Sequence, residues 1–199
     1  MRTNNLVALI DIFLIMVITL ILVIAVMKTD DEKSITTRAE FVITVTWPDG
    51  NIDDVDSWLK DPMDNVCWYN VQSISLMNLD RDDIGDETDR VYISKDNVIE
   101  YPHNQELMTI RGCVPGEYVF NLHMYKKREK TPTTIEVRMD QINPKSEMVA
   151  FKEFVLHNMW EEIPALHFEL SEYCAVTWLP LEYEKLAVAM QRNINYSGN

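Results

Sequence analysis

Phe41-Val42-Ile43-Thr44-Val45-Thr46-Trp47-Pro48-Asp49-Gly50 decides the fold of most of this chain. Phe41, Ile43, Val45 and Trp47 fall on one face of an extended segment, and Val42, Thr44 and Thr46 on the other. This period of two is the mark of a half-buried strand. Pro48-Asp49-Gly50 then stops it with turn chemistry.

Similar segments recur downstream at short intervals. Strands are expected at Val66–Val71, Arg90–Ser94, Leu107–Arg111, Glu117–Tyr125, Thr134–Met139, Val149–Leu156, Leu166–Leu170 and Ala175–Trp178. Aromatic and β-branched residues dominate them. Turn signals separate them at Asp61-Pro62, Asn97, Gly112, Pro115-Gly116, Thr131-Pro132 and Asn143-Pro144. Many short strands with this spacing predict a β-sandwich of immunoglobulin or jelly-roll type over residues 39–191. Glu182–Gln191 fits a helix or a terminal strand, and the strand is the expectation. Residues 192–199 read as a flexible tail.

Upstream the pattern changes completely. Leu6–Met27 is apolar except for Asp11 and Thr19. About 20 apolar residues, at about 1.5 Å rise each, match the roughly 30 Å hydrocarbon core of a bilayer. The run exceeds the usual 7–15 residues of a signal-peptide core, and no small-x-small cleavage site follows it. It reads as a retained transmembrane anchor, with a short tail making up the rest of residues 1–27. Residues 28–38 form a polar linker. The expected architecture is one N-terminal transmembrane α-helix plus a mainly-β extracytoplasmic domain.

The 199 residues carry a formal charge of −14. An acidic exterior of this kind argues against nucleic acid, which needs clustered Lys and Arg. Three cysteines, Cys67, Cys113 and Cys174, form no CxxC pair. Each sits beside apolar residues, and all three are expected to be reduced and mostly buried.

Asp11 is the costly residue. An acid at mid-membrane costs on the order of 2.5–3.5 kcal/mol, and such acids mark proton and ion pathways. Its place near the start of the run also permits a plainer role, an interfacial acid favoured by the helix dipole. Thr19 is expected to bond to a carbonyl within its own helix. Arg2 precedes the helix, while Lys28, Lys33 and Arg38 follow it, so the Lys/Arg count alone mildly favours the large domain inside.

Asn5, Asp11 and the run Ile10-Asp11-Ile12-Phe13-Leu14-Ile15-Met16-Val17 resemble the ExbD/TolR family, and more loosely MotB. These are B subunits of ion-driven motors in bacterial inner membranes. Ala8 departs from the pattern, which often has Pro three residues before the acid. The resemblance covers about the first 30 residues. It implies a homodimer inside a pentamer of a multi-span A subunit of ExbB/TolQ/MotA type, a 5:2 complex. It also implies Asp11 as the carrier of H⁺ or Na⁺, supported by Asn5 and Thr19, with the N-terminus cytoplasmic and the larger domain periplasmic. The physics agrees: burial raises a carboxyl pKa, and one charge crossing 100 mV releases about 2.3 kcal/mol. A chain with one span cannot build an ion path alone.

The remainder does not resemble the ExbD, TolR or MotB outer domains. Thr46-Trp47, Asp53-Asp54-Val55-Asp56-Ser57-Trp58-Leu59, Asp61-Pro62 and Val66-Cys67-Trp68-Tyr69 resemble extracytoplasmic β-sandwich domains of the YfaP-like kind. Leu79-Asp80-Arg81-Asp82-Asp83 and Gly116-Glu117-Tyr118-Val119-Phe120 fit the same domains.

Asp53, Asp54, Asp56, Asp80, Asp82 and Asp83 read as two acidic loops. They are either solvated turns or oxygen donors converging on calcium, which takes six to eight oxygens. Trp58, Trp68 and Tyr69 beside them are core or a ligand platform, with core the expectation. His103, His123, His157 and His167 make no metal pair or triad. No phosphate loop, nucleophile elbow or glycosidase signature occurs, so no enzymatic activity and no required cofactor are expected. Two functions remain: a motor B subunit driven by proton or sodium motive force, whose outer domain contacts an extracytoplasmic partner, or a membrane-tethered β-sandwich module binding calcium, glycan or protein.

Overall fold

The computed structural model describes residues 3–28, 38–85, 90–95, 97–182 and 184–187. The chain divides into two units, Met1–Thr37 and Arg38–Asn199. The linker over 29–37 and the tail over 192–199 lie outside the described residues.

The first unit holds helix α1, Thr3–Lys28, of 26 residues. A run of Leu, Ile, Val and Met without Gly or Pro favours continuous helix where packing does not demand strand. The helix is apolar on every side: Leu9, Ile10, Ile12, Phe13, Leu14 and Met16 are all exposed on it. Among the described residues no helix is long and apolar enough to cross a membrane.

The second unit is mainly β. Six strands form one antiparallel sheet in the order β11-β10-β1-β8-β5-β4. They are β1 (Phe41–Thr46), β4 (Ser73–Ile74), β5 (Met77–Arg81), β8 (Gln105–Ile110), β10 (Thr133–Gln141) and β11 (Glu147–Leu156). Five strands form the second sheet in the order β13-β12-β9-β2-β3. These are β2 (Asp54–Lys60), β3 (Val66–Cys67), β9 (Gly116–Lys126), β12 (Glu162–Leu170) and β13 (Val176–Trp178). A separate hairpin pairs β6 (Arg90–Ser94) with β7 (Asn97–Glu100).

Both sheets give alternate side chains to one core. Phe41, Ile43 and Val45 of β1 join Ile135, Val137 and Met139 of β10 on one side. Phe120, Leu122 and Met124 of β9 join Leu166 and Phe168 of β12 on the other. This is the two-layer solution to burying one face of each sheet. A smaller cluster covers the outer face of the five-stranded sheet, where Trp58, Trp68 and Val119 pack with Leu186 and Ala187.

Several expectations need correction. Asp54 and Asp56 are not in a loop but in β2, between β3 and β9 in the second sheet; Asp80 lies in β5. Acids at alternate positions hide the strand pattern, because Val55 and Leu59 alone carry its inward face. Val66–Val71 is strand only at Val66–Cys67, and Trp68 and Val71 meet in an isolated bridge. Asn97 begins a strand rather than a turn. Leu186 and Ala187 are helical, not strand; residues 183 and 188–191 of that segment lie outside the described residues. Cys113 and Cys174 form a disulfide across 61 residues, leaving Cys67 as the buried free thiol. Burial pushes that thiol up to about 12.

Candidate functional site: an acidic pocket with tyrosine walls

The pairing of β2 with β9 sets the site. Asp56 faces His123, Trp58 faces Asn121, and a bulge shifts the register so that Asp54 faces Lys126. A bulge re-aims side chains where it falls. Here Tyr125 and Lys126, successive residues, both line one pocket of about 280 Å³. Asp54, Asp56, Tyr69, Asp82 and Ile84 complete its wall.

Asp82 reaches the pocket because the loop after β5 is pressed against the strand entry of β2. Gly85 has φ of 67°, and a Cβ there would stand 3.0 Å from the Asp53 carbonyl oxygen. Glycine removes that conflict and accepts the left-handed backbone. Asp83, fully buried, holds the same loop by accepting from Gly85 N at 3.1 Å, Gln105 N at 3.0 Å and Arg81 Nη2 at 3.0 Å.

The pocket concentrates carboxylates in a low-dielectric place. The Asp54 side chain is 4% exposed and lies 3.6 Å from Lys126 Nζ. Burial, reinforced by the Asp56 charge and opposed by Lys126, raises its pKa to about 7. Asp56, 5% exposed, lies 3.3 Å from His123 Nδ1. Burial raises its pKa and the His123 bond opposes the rise. Asp82 is raised too, by burial, against the bond that Gln72 Nε2 donates to it.

Glu106 stands behind them. It belongs to β8 of the opposite sheet and is 1% exposed. Neither carboxyl oxygen meets a donor with hydrogen-bond geometry, although Ser57 and the Asp82 carboxylate lie beside it. Burial and the charges of Asp56 and Asp82 hold its pKa well above the ordinary range.

Aromatic rings run along the same face. Trp58 stacks on Trp68 at 4.4 Å between centroids. Tyr69 stands edge-on to Trp68 at 4.6 Å and packs on Tyr125 at 5.7 Å. Tyr125 meets Trp160 at 5.4 Å. Trp58 and Trp68 are buried, so they are core as expected, whereas Tyr69 is half-buried on the pocket wall. Trp160 is 54% exposed and has φ of 66°. A bulky residue in that region is strained. Its turn is held by Glu161 Oε2, which accepts from His157 N at 2.6 Å and Asn158 N at 2.8 Å.

The six acids singled out in the sequence thus separate. Asp54, Asp56 and Asp82 share the pocket. Asp53 is a structural anchor, accepting from Lys127 Nζ and Arg128 N at 2.6 Å, from Glu129 N at 2.8 Å and from the Thr133 hydroxyl. Burial works to raise its pKa, but these bonds outweigh it and leave it lowered. Asp80 accepts from Thr109 Oγ1 at 2.6 Å and Arg111 Nη2 at 2.5 Å, and Asp83 holds its loop. Among the described residues no three His, Cys, Asp or Glu side chains are gathered so as to hold a metal ion.

In α1, Asp11 is exposed on the helix and the Thr19 hydroxyl donates to the Ile15 carbonyl at 2.6 Å. Asn5 lies in the same helix; its side chain lies outside those described. Tyr69, expected as core rather than a ligand platform, lines the pocket, whereas Tyr125 and Glu106 are not legible as site residues, because a single Glu or Tyr in an alternating strand carries no signal of what it meets in the fold. No protein-family model, no curated protein and no solved structure matches the chain.

Proposed function

We propose that the chain is a B subunit of ExbD/TolR/MotB type in an ion-driven rotary motor. The observation that carries this is a single carboxylate, Asp11, in a 26-residue helix apolar on every side. In the sequence, Leu6–Met27 supplies about 20 apolar residues, the number a bilayer core takes, and the proposal rests on that run. An all-round apolar helix outside a core is stable in lipid or against other apolar helices. Asp11 takes and releases the ion, with Asn5 and Thr19 as neighbours, and H⁺ is favoured over Na⁺ because so few other oxygens accompany it. A pentameric multi-span A subunit supplies the rest of the path. The β unit lies in the bacterial periplasm, contacts a partner there and catalyses no reaction. The Cys113–Cys174 disulfide fits such an oxidising compartment.

The test compares Asp11→Asn and Asp11→Glu in the native membrane. Asn keeps size and loses the titratable proton, so assembly should persist while ion flux stops. Glu should retain part of the flux. Normal flux in Asp11→Asn overturns the proposal.

The acidic pocket favours a second reading, a membrane-tethered module that binds a ligand through its β-sandwich, with α1 as anchor. Calcium, a glycan or a protein are its candidate ligands. Replacing α1 by an unrelated apolar helix would preserve function under this reading and abolish it under the first.

A further inference from the structure

The pocket between β2, β9 and the loop after β5 has the chemistry of an ammonium cage. Its carboxylates, Asp54, Asp56 and Asp82, face two aromatic rings, Tyr69 and Tyr125, whose centroids are 5.7 Å apart. Carboxylates neutralise an ammonium charge, and ring faces attract it where water is displaced. The protein already places one ammonium here. Lys126 Nζ lies 5.4 Å from the Tyr125 ring centre and 3.6 Å from Asp54.

One lysine does not balance the site. Asp54 has Lys126 Nζ beside it, Asp56 has the His123 ring, and Asp82 has the Gln72 amide. Glu106 is nearly fully buried behind Asp82 with both oxygens lacking a donor. A buried polar group of this kind costs free energy until a donor or a positive charge approaches. Size and wall chemistry choose the class of cation. Calcium wants six to eight oxygens closing around it at 2.3–2.6 Å, whereas tyrosine rings and Ile84 form much of this wall and the volume is about 280 Å³. That room suits an alkyl chain ending in an ammonium group.

We propose that this pocket binds a primary alkylammonium group, either a free amine or the end of a lysine side chain on a partner. The proposal rests on the second reading above, that the β unit binds a ligand, and it is independent of Asp11. Lys126 then acts as the resident competitor, which an incoming ammonium displaces from Asp54 and Tyr125.

The test is calorimetry on the full chain in detergent micelles, titrated with n-butylamine, with a blocked tripeptide carrying a central lysine, and with its norleucine counterpart. Heat from butylamine or the lysine peptide, and none from the norleucine peptide, is expected. The tighter of the two amines identifies the source. Asp82→Asn should weaken binding about tenfold, the worth of roughly 1.4 kcal/mol. Tyr69→Leu should weaken it several-fold, and Lys126→Met should tighten it several-fold, a gain that misfolding cannot produce. Asp64→Asn removes a 90% exposed acid and should change nothing. No binding of either amine overturns the proposal, as does an Asp64→Asn loss equal to that of Asp82→Asn. Calcium binding without amine binding overturns it while leaving the ligand-binding reading intact.

Discussion

His123 Nδ1 lies 3.3 Å from Asp56 Oδ2, and the two residues face each other across the β2–β9 pair with about 5% of each side chain exposed. Breaking a buried pair leaves its other member without compensation, at a cost on the order of 3–5 kcal/mol. His123→Ala should therefore destabilise the β unit by about 3 kcal/mol, and Asp56→Asn by less, because an amide still bonds to the ring. Denaturant melts of the two variants check the order. Equal, small losses would show that the pair carries little.

Asp54 gives the unit a pH dependence of definite sign. Its folded pKa of about 7 lies above the ordinary value of 3.8. Below about pH 4 both states are protonated and the full stability is present. As pH rises toward 7 the unfolded chain releases this proton while the folded one retains it, so stability falls and stays lower above 7. The loss is on the order of 2–4 kcal/mol. Across pH 4–8 the stability of the wild type should fall with rising pH more steeply than that of Asp54→Asn between pH 4 and 7, and the two slopes should meet above 7.

Asp53 should behave as a structural residue. It accepts four bonds around residues 127–133, including one from the largely buried Lys127. Asp53→Ala strands that ammonium and two backbone N–H groups, so a loss of about 3–5 kcal/mol is expected. Its melt should not respond to added calcium differently from the wild type.

The disulfide makes a separate prediction. Cys113 and Cys174 close a loop of 61 residues. In the chain-entropy picture that constraint is worth about 4 kcal/mol. Cys113→Ser with Cys174→Ser should lower the melting temperature, and reductant should lower that of the wild type but not of the double variant.

Legibility in the sequence followed the alternation of apolar residues. β1, β8, β9 and β10 were readable because Phe41–Val45, Met108–Ile110, Tyr118–Met124 and Ile135–Met139 put apolar side chains inward at every second position. β2 and β5 were not, because Asp54, Asp56 and Asp80 occupy their outward positions and mimic a solvated loop. The acids near the site were visible as a group, but only the bulge opposite Asp54 decides which of them meet. Glu106 was invisible, since its depth comes from the opposite sheet. The disulfide joins segments 61 residues apart, a proximity that only the folded sandwich creates.

The motor proposal turns on company that one chain cannot supply, so its stoichiometry is the decisive quantity. Native mass spectrometry of the full chain, extracted from its own membrane in mild detergent, measures it. Two copies of this chain with five copies of one multi-span protein are the expected result. A chain recovered alone, or in any assembly without a multi-span partner, would contradict it.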